Sequence, residues 1–69
     1  MTEFKLKSEF IELDNLLKAL ELVASGAQAK EEILAGKVKV NGAVESRIRC
    51  KLRAGDSVEF DYNIIKVIS

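Results

Sequence analysis

At Gly36 the hydrophobic repeat of this chain changes period, and that change limits the fold more than any other feature. Before it, Leu13, Leu16, Leu17 and Leu20 fall at i, i+3, i+4 and i+7, one stripe of a helix, with Asp14, Lys18 and Glu21 off the stripe. Ser25 then stands three residues before Gln28, the spacing of a capping box that opens a second helix. Ala29, Ile33 and Leu34 are expected to face the core, and Gly36 to end that helix. Ala24 and Ser25 are expected to be the whole link between the helices, which must then pack at an angle. After Gly36 the repeat is two. Lys37-Val38-Lys39-Val40 alternates, Asn41-Gly42 is a strong hairpin-turn signal, and Val44 resumes the apolar phase. Ala54-Gly55-Asp56 and Tyr62-Asn63 read as further turns around Ser57–Asp61 and a closing strand, residues 64–68. Ahead of the helices, residues 3–7 alternate as well, placing Phe4 and Leu6 on one face. The predicted fold is α+β: two short helices on a small twisted, mostly antiparallel sheet, in the order β-α-α-β-β-β-β. Ile64 and Ile68, opposite Ile65 and Val67, make the closing strand a candidate edge for pairing with another chain.

Sixty-nine residues suffice for one domain, 1–69, with a thin core, and leave little material for a catalytic cavity. The chain has no His, which removes the commonest general base and zinc ligand, and one Cys, which rules out an internal disulfide. No metal or cofactor is expected. Glu31 and Glu32 are adjacent on a helix and point in different directions, a poor acid–base pair, so the expectation is a binding module and not an enzyme. The single thiol, with no signal-peptide core or membrane span, fits a reduced cytoplasmic protein. Cys50 lies on the apolar phase of its segment and is expected to be buried.

Eleven Lys and Arg balance eleven Asp and Glu, but the balance hides a segregation. Residues 1–36 carry a net charge of −3, residues 37–55 carry +5, and residues 56–69 carry −2. The positive segment contains Lys37, Lys39, Arg47, Arg49, Lys51 and Arg53 against Glu45 alone. From Arg47 to Arg53 every odd position is a cation and every even one apolar, so an extended chain would gather four cations on one face, about 6.5 Å apart. Phosphate is the ligand that most needs such a surface. The plain alternative is a solvated sheet face with protective edge lysines. Phe4 and Phe60 read as core and Phe10 as core or staple, which leaves Tyr62 as the one exposed aromatic. One surface aromatic favours folded RNA, recognised by shape and phosphate, over a single strand stacked on several rings.

Four motifs in order carry a family resemblance. Leu13-Asp14-(x)2-Leu17, Ser25-Gly26-Ala27-Gln28-Ala29-Lys30, Gly36-Lys37-Val38-Lys39-Val40-Asn41-Gly42 and Ala54-Gly55-Asp56-Ser57-Val58 resemble the alpha-L RNA-binding motif, the domain named after small-subunit ribosomal protein S-four. The likeness covers about residues 10–60, and the length is similar to that of small free-standing bacterial YbcJ-like proteins. It implies RNA held on the second helix and the strand-turn after it. Ser25, Gln28 and Lys30 then fall on the RNA-facing helix start, and Lys37, Lys39, Asn41 and Gly42 on the strand-turn. Many members of the family have Arg directly after the capping serine, where this chain has Gly26, and the Arg47–Arg53 segment is expected to supply the missing charge. The resemblance treats that segment as loop, whereas its alternation reads as strand; both readings stand at this point. The implied partner is structured RNA, rRNA or a ribosomal subunit, with no DNA specificity, membrane or small-molecule substrate. The competing reading is a protein-interaction domain that kept the fold without RNA binding, suggested by the zero net charge and acidic first helix.

Overall fold

The computed structural model describes residues 2–69. Five strands form the main sheet: β1 (Thr2–Lys5), β3 (Val38–Val40), β4 (Ala43–Val44), β6 (Ser57–Phe60) and β7 (Asn63–Ile68). With α1 (Leu13–Ala19) and α2 (Gly26–Leu34) they give the predicted order β-α-α-β-β-β-β. A separate two-stranded ribbon, β2 (Ile11–Glu12) with β5 (Lys51–Leu52), is an addition to the expected plan.

The main sheet runs β1-β7-β6-β3-β4. All its pairs are antiparallel except β1 with β7, where Phe4 lies opposite Val67. The closing strand is therefore not an edge: β1 covers it on one side and β6 on the other. The edges are β1 and the two-residue β4, and so short an edge offers little backbone to a second chain.

Each helix is held by a different device at its start. At α1 the expected apolar stripe is present, with Leu13, Leu16 and Leu17 fully buried. Its N-cap, Glu12, makes no side-chain cap bond. Instead the Leu13 N–H donates to the Cys50 carbonyl at 2.9 Å and the Asp14 N–H to the Ile48 carbonyl at 3.1 Å, so backbone from the basic segment satisfies the free donors. At α2 the Ser25 Oγ accepts from the Gln28 N–H at 3.2 Å, while the Gln28 Oε1 accepts from the Ala24 N–H at 2.7 Å. The box thus closes one residue earlier than the standard arrangement.

Both helices end in the same way. Gly36 (φ +77°) donates to the Ile33 carbonyl, and Lys37 to that of Glu32, a Schellman motif. Glu21 (φ +58°) and Leu22 repeat that pattern onto Lys18 and Leu17 at the end of α1. A glutamate in the position where glycine usually signals the stop left no mark in the sequence. The interhelical link therefore runs over residues 20–25, longer than the Ala24-Ser25 turn expected. Its Val23 is buried and Leu22 packs on the core.

The core gathers Leu13, Leu16, Leu17, Ala29, Ile33, Val38, Leu52, Val58, Ile65 and Val67. Cys50 is buried as expected, and Phe60 joins the cluster. Leu34 does not, being 58% exposed, because Ala29 and Ile33 already fill the one face that α2 turns inward. Among the described residues no charged or polar residue is buried, so the charges lie at the surface. No described helix is long and apolar enough to cross a membrane.

Candidate nucleic-acid interface

All of the residues singled out from the sequence are exposed: Ser25, Gln28, Lys30, Lys37, Lys39, Asn41, Gly42, Arg47, Arg49, Lys51 and Arg53. Their surroundings divide them into three groups.

The first lies at the start of α2 and in the link that leads into β3. Ser25 and Gln28 are occupied by capping, although the Gln28 side-chain NH2 remains available as a donor. Lys37 is drawn back onto the helix by Glu32, 3.4 Å away. Sequence reasoning assigned Lys18 to an outer face of α1 and nothing more. The fold brings its Nζ to 3.8 Å from the point a Cβ on Gly26 would occupy. A cation therefore stands beside Gly26 after all, from another helix, and only tertiary packing reveals it.

The second group is the β3–β4 hairpin. Asn41 (φ +52°) and Gly42 (φ +85°) form the expected type I′ turn, with Val40 paired to Ala43. Asn41 does more than turn. Its Nδ2 donates to Asp56 Oδ1 at 3.1 Å and its Oδ1 accepts from the Ser57 N–H at 2.9 Å. Asp56 in turn accepts from the Arg53 N–H at 2.8 Å. The turn is thereby clamped to the start of β6, which fixes the direction in which Gly42 presents its backbone. Lys39 lies opposite Glu59 in the ladder, on the face away from buried Val38.

The third group is the basic segment, and here the strand reading is overturned. Only Lys51 and Leu52 are extended with a partner strand; residues 47–50 loop across the start of α1. The four cations do not share one face. Arg47 forms a fork with Glu45, Nε to Oε2 at 3.0 Å and Nη2 to Oε1 at 3.1 Å, and its own N–H donates to Oε2 at 3.0 Å. These hydrogen bonds hold the Glu45 carboxyl down to about 2. Arg47 Nη2 also reaches Cys50 Sγ at 3.6 Å, yet burial dominates and pushes that thiol up, away from reactivity. Lys51 Nζ sits 5.0 Å, and Arg53 Cζ 5.9 Å, from the centre of the Phe10 ring, within cation–π range. Neither pairing neutralises the cations, so both heads stay available to an anion. Lys30, Lys39 and Arg49 have no carboxylate within 4.0 Å among the described residues.

A family model described as S4 domain matches residues 4–68. The chain is 47% identical over 70 residues to "Putative RNA-binding protein YbcJ" of Escherichia coli (strain K12), with 100% of both chains covered, and equally to "Uncharacterized protein YbcJ" of Shigella flexneri. The solution structure of the E. coli protein, described as revealing an alfaL motif involved in RNA-binding, superposes with a TM-score of 0.75, covering 100% of this chain and 89% of that one. A family model spanning nearly the whole sequence, and full-length relatives at 47% identity, make this chain a member of the S4 domain family.

Proposed function

We propose that this domain binds structured RNA, with ribosomal RNA or a ribosomal particle in the cytoplasm as its target, and catalyses no reaction of its own. The observation that carries this reading is the exposure of the cations in a segment of net charge +5. None of them is buried, and among the described residues Lys39 and Arg49 of that segment, like Lys30 on α2, have no carboxylate within 4.0 Å. Such a surface attracts phosphate by releasing counterions, without any shaped pocket. In this reading Ser25, Gln28 and Lys30 meet the RNA from α2, and Lys37, Lys39, Asn41 and Gly42 from the strand-turn. Glycine at position 42, with nothing within 4 Å of a Cβ there, lets a phosphate approach the backbone. Arg49, Lys51 and Arg53 extend the positive field, and Arg47 contributes chiefly by bracing its own loop. Lys18 supplies the charge beside Gly26. The name of the E. coli relative and the description of its solution structure support the same class of ligand.

The test is binding of a structured rRNA fragment and of a ribosomal extract, at low and moderate salt, by the wild type and a Lys37→Glu/Lys39→Glu/Arg49→Glu variant. About four phosphate contacts give a slope near −3 in log affinity against log salt, and the variant is expected to lose binding. Absence of binding by the wild type at low salt overturns the proposal. Binding that ignores salt redirects it to a protein partner, since an interface with an apolar centre responds far less.

A further inference from the structure

The two type I′ turns of the sheet are built from very different residues. Between β3 and β4 the left-handed positions hold Asn41 and Gly42, which suit that backbone. Between β6 and β7 they hold Asp61 (φ +52°) and Tyr62 (φ +66°). A bulky residue in the left-handed region is uncommon and costs the fold. Tyr62 recovers nothing from packing, because it is 99% exposed. A strained and fully exposed aromatic calls for an explanation outside the folded chain.

The neighbourhood supplies one. Tyr62 lines an open groove of about 550 Å³ together with Gln28, Glu32, Lys37, Glu59, Phe60 and Asp61. Gln28 and Lys37 belong to the surface assigned above to RNA, so the groove is continuous with it. That volume lies in the range of small-ligand sites, roughly 300–1,000 Å³. Tyr62 offers an aromatic face, and Glu59 and Asp61 line the groove with it, neither with a cation within 4.0 Å among the described residues. Carboxylates repel a phosphate but accept hydrogen bonds from base N–H groups. The groove's donors are the free NH2 of Gln28 and the ammonium of Lys37, which is shared with Glu32 at 3.4 Å.

We propose that this groove takes one unpaired nucleobase of the bound RNA, stacked on Tyr62, with its amino edge toward Glu59 and Asp61 and its phosphate toward Lys37. The inference rests on the RNA reading and deepens it: shape and charge hold the folded part of the RNA, and Tyr62 reads a bulged or looped base at its margin. Guanine fits best, because its N1–H and N2–H2 present two parallel donors. Uracil, with no amino group, fits worst.

Tyr62 is the one tyrosine of a chain that has no tryptophan, so tyrosine emission reports this position alone. Three RNA hairpins of equal length would be compared: fully paired, with a single bulged guanine, and with a single bulged uracil. The wild type is expected to bind the guanine bulge about 5- to 150-fold more tightly than the paired hairpin, the range of one base stacked on an aromatic ring, with tyrosine emission quenched on binding. Tyr62→Phe keeps that preference. Tyr62→Gly loses it while binding the paired hairpin as before, and its melting temperature is not lowered, because glycine suits the turn. Equal affinity for bulged and paired hairpins, or emission unchanged at saturation, overturns the stacking site while leaving RNA binding intact. Equal affinity for the two bulges overturns the role of Glu59 and Asp61. Failure of all three hairpins to bind at low salt overturns the RNA reading itself.

Discussion

Lys37–Val40 and Arg47–Arg53 are written in the same alternating pattern of cation and apolar residue, yet they fold differently. The first enters the middle of the sheet. β3 finds β6 on one side and β4 on the other, and Val38 is driven into the core. The second finds one short partner, β2, and becomes a loop whose carbonyls cap α1. Alternation therefore states what a segment would do if a ladder were offered; whether one is offered depends on the rest of the chain. The functional consequence is that the cations of the first stretch are placed by regular backbone, whereas in the second Arg47 is placed by Glu45, and Lys51 and Arg53 by Phe10.

If the second stretch is anchored by its apolar phase, Leu52→Ala should have the largest effect. Leu52 is fully buried, and truncation is expected to cost about 2–5 kcal/mol in chemical denaturation. A loss below about 1 kcal/mol would show that the basic segment is loosely attached, and would erase the contrast with a surface loop. Asn41→Ala comes next, at about 1–3 kcal/mol, since it removes the side-chain bonds to Asp56 and Ser57 and places alanine in a left-handed turn. Unchanged stability would mean that the hairpin positions itself without the clamp.

The smallest effect concerns Glu45, and it appears in the pH dependence. Its carboxyl is lower in the folded chain than the ordinary value of about 4.3. The contribution is thus complete above that value and is lost as pH falls from there toward 2. Glu45→Gln should flatten the decline of the urea midpoint across that window, and the effect will be small because Arg47 is largely solvated. Parallel profiles for wild type and variant would show that the fork does not hold the loop.

Much of this was legible locally. The α1 stripe, the Ser25 cap, the Gly36 stop, the Asn41-Gly42 turn and the burial of Cys50 follow from neighbours within a few residues. The end of α1 was not legible, because Glu21 takes a conformation that glycine usually marks. Leu34 is exposed where the spacing predicts burial, because an apolar residue at helical spacing gives no measure of how wide the buried stripe is. The position of Asn41 showed a turn, but not that its amide would serve Asp56 and Ser57 from across the sheet.

By itself the sequence determined where the backbone repeat changes, which residues cap and turn, and that a positive segment lies between two negative ones. These are properties of spacing and of single residues, and no distant contact is needed to set them. Tertiary structure alone decided that β1 covers β7, that Lys18 comes to Gly26, that the basic segment closes α1, and that Tyr62 stands at a groove. Each of these joins residues of different elements, most of them far apart in the chain. Such contacts form only when burying a shared core offsets the entropy of bringing the segments together, and no local pattern records which segments those will be.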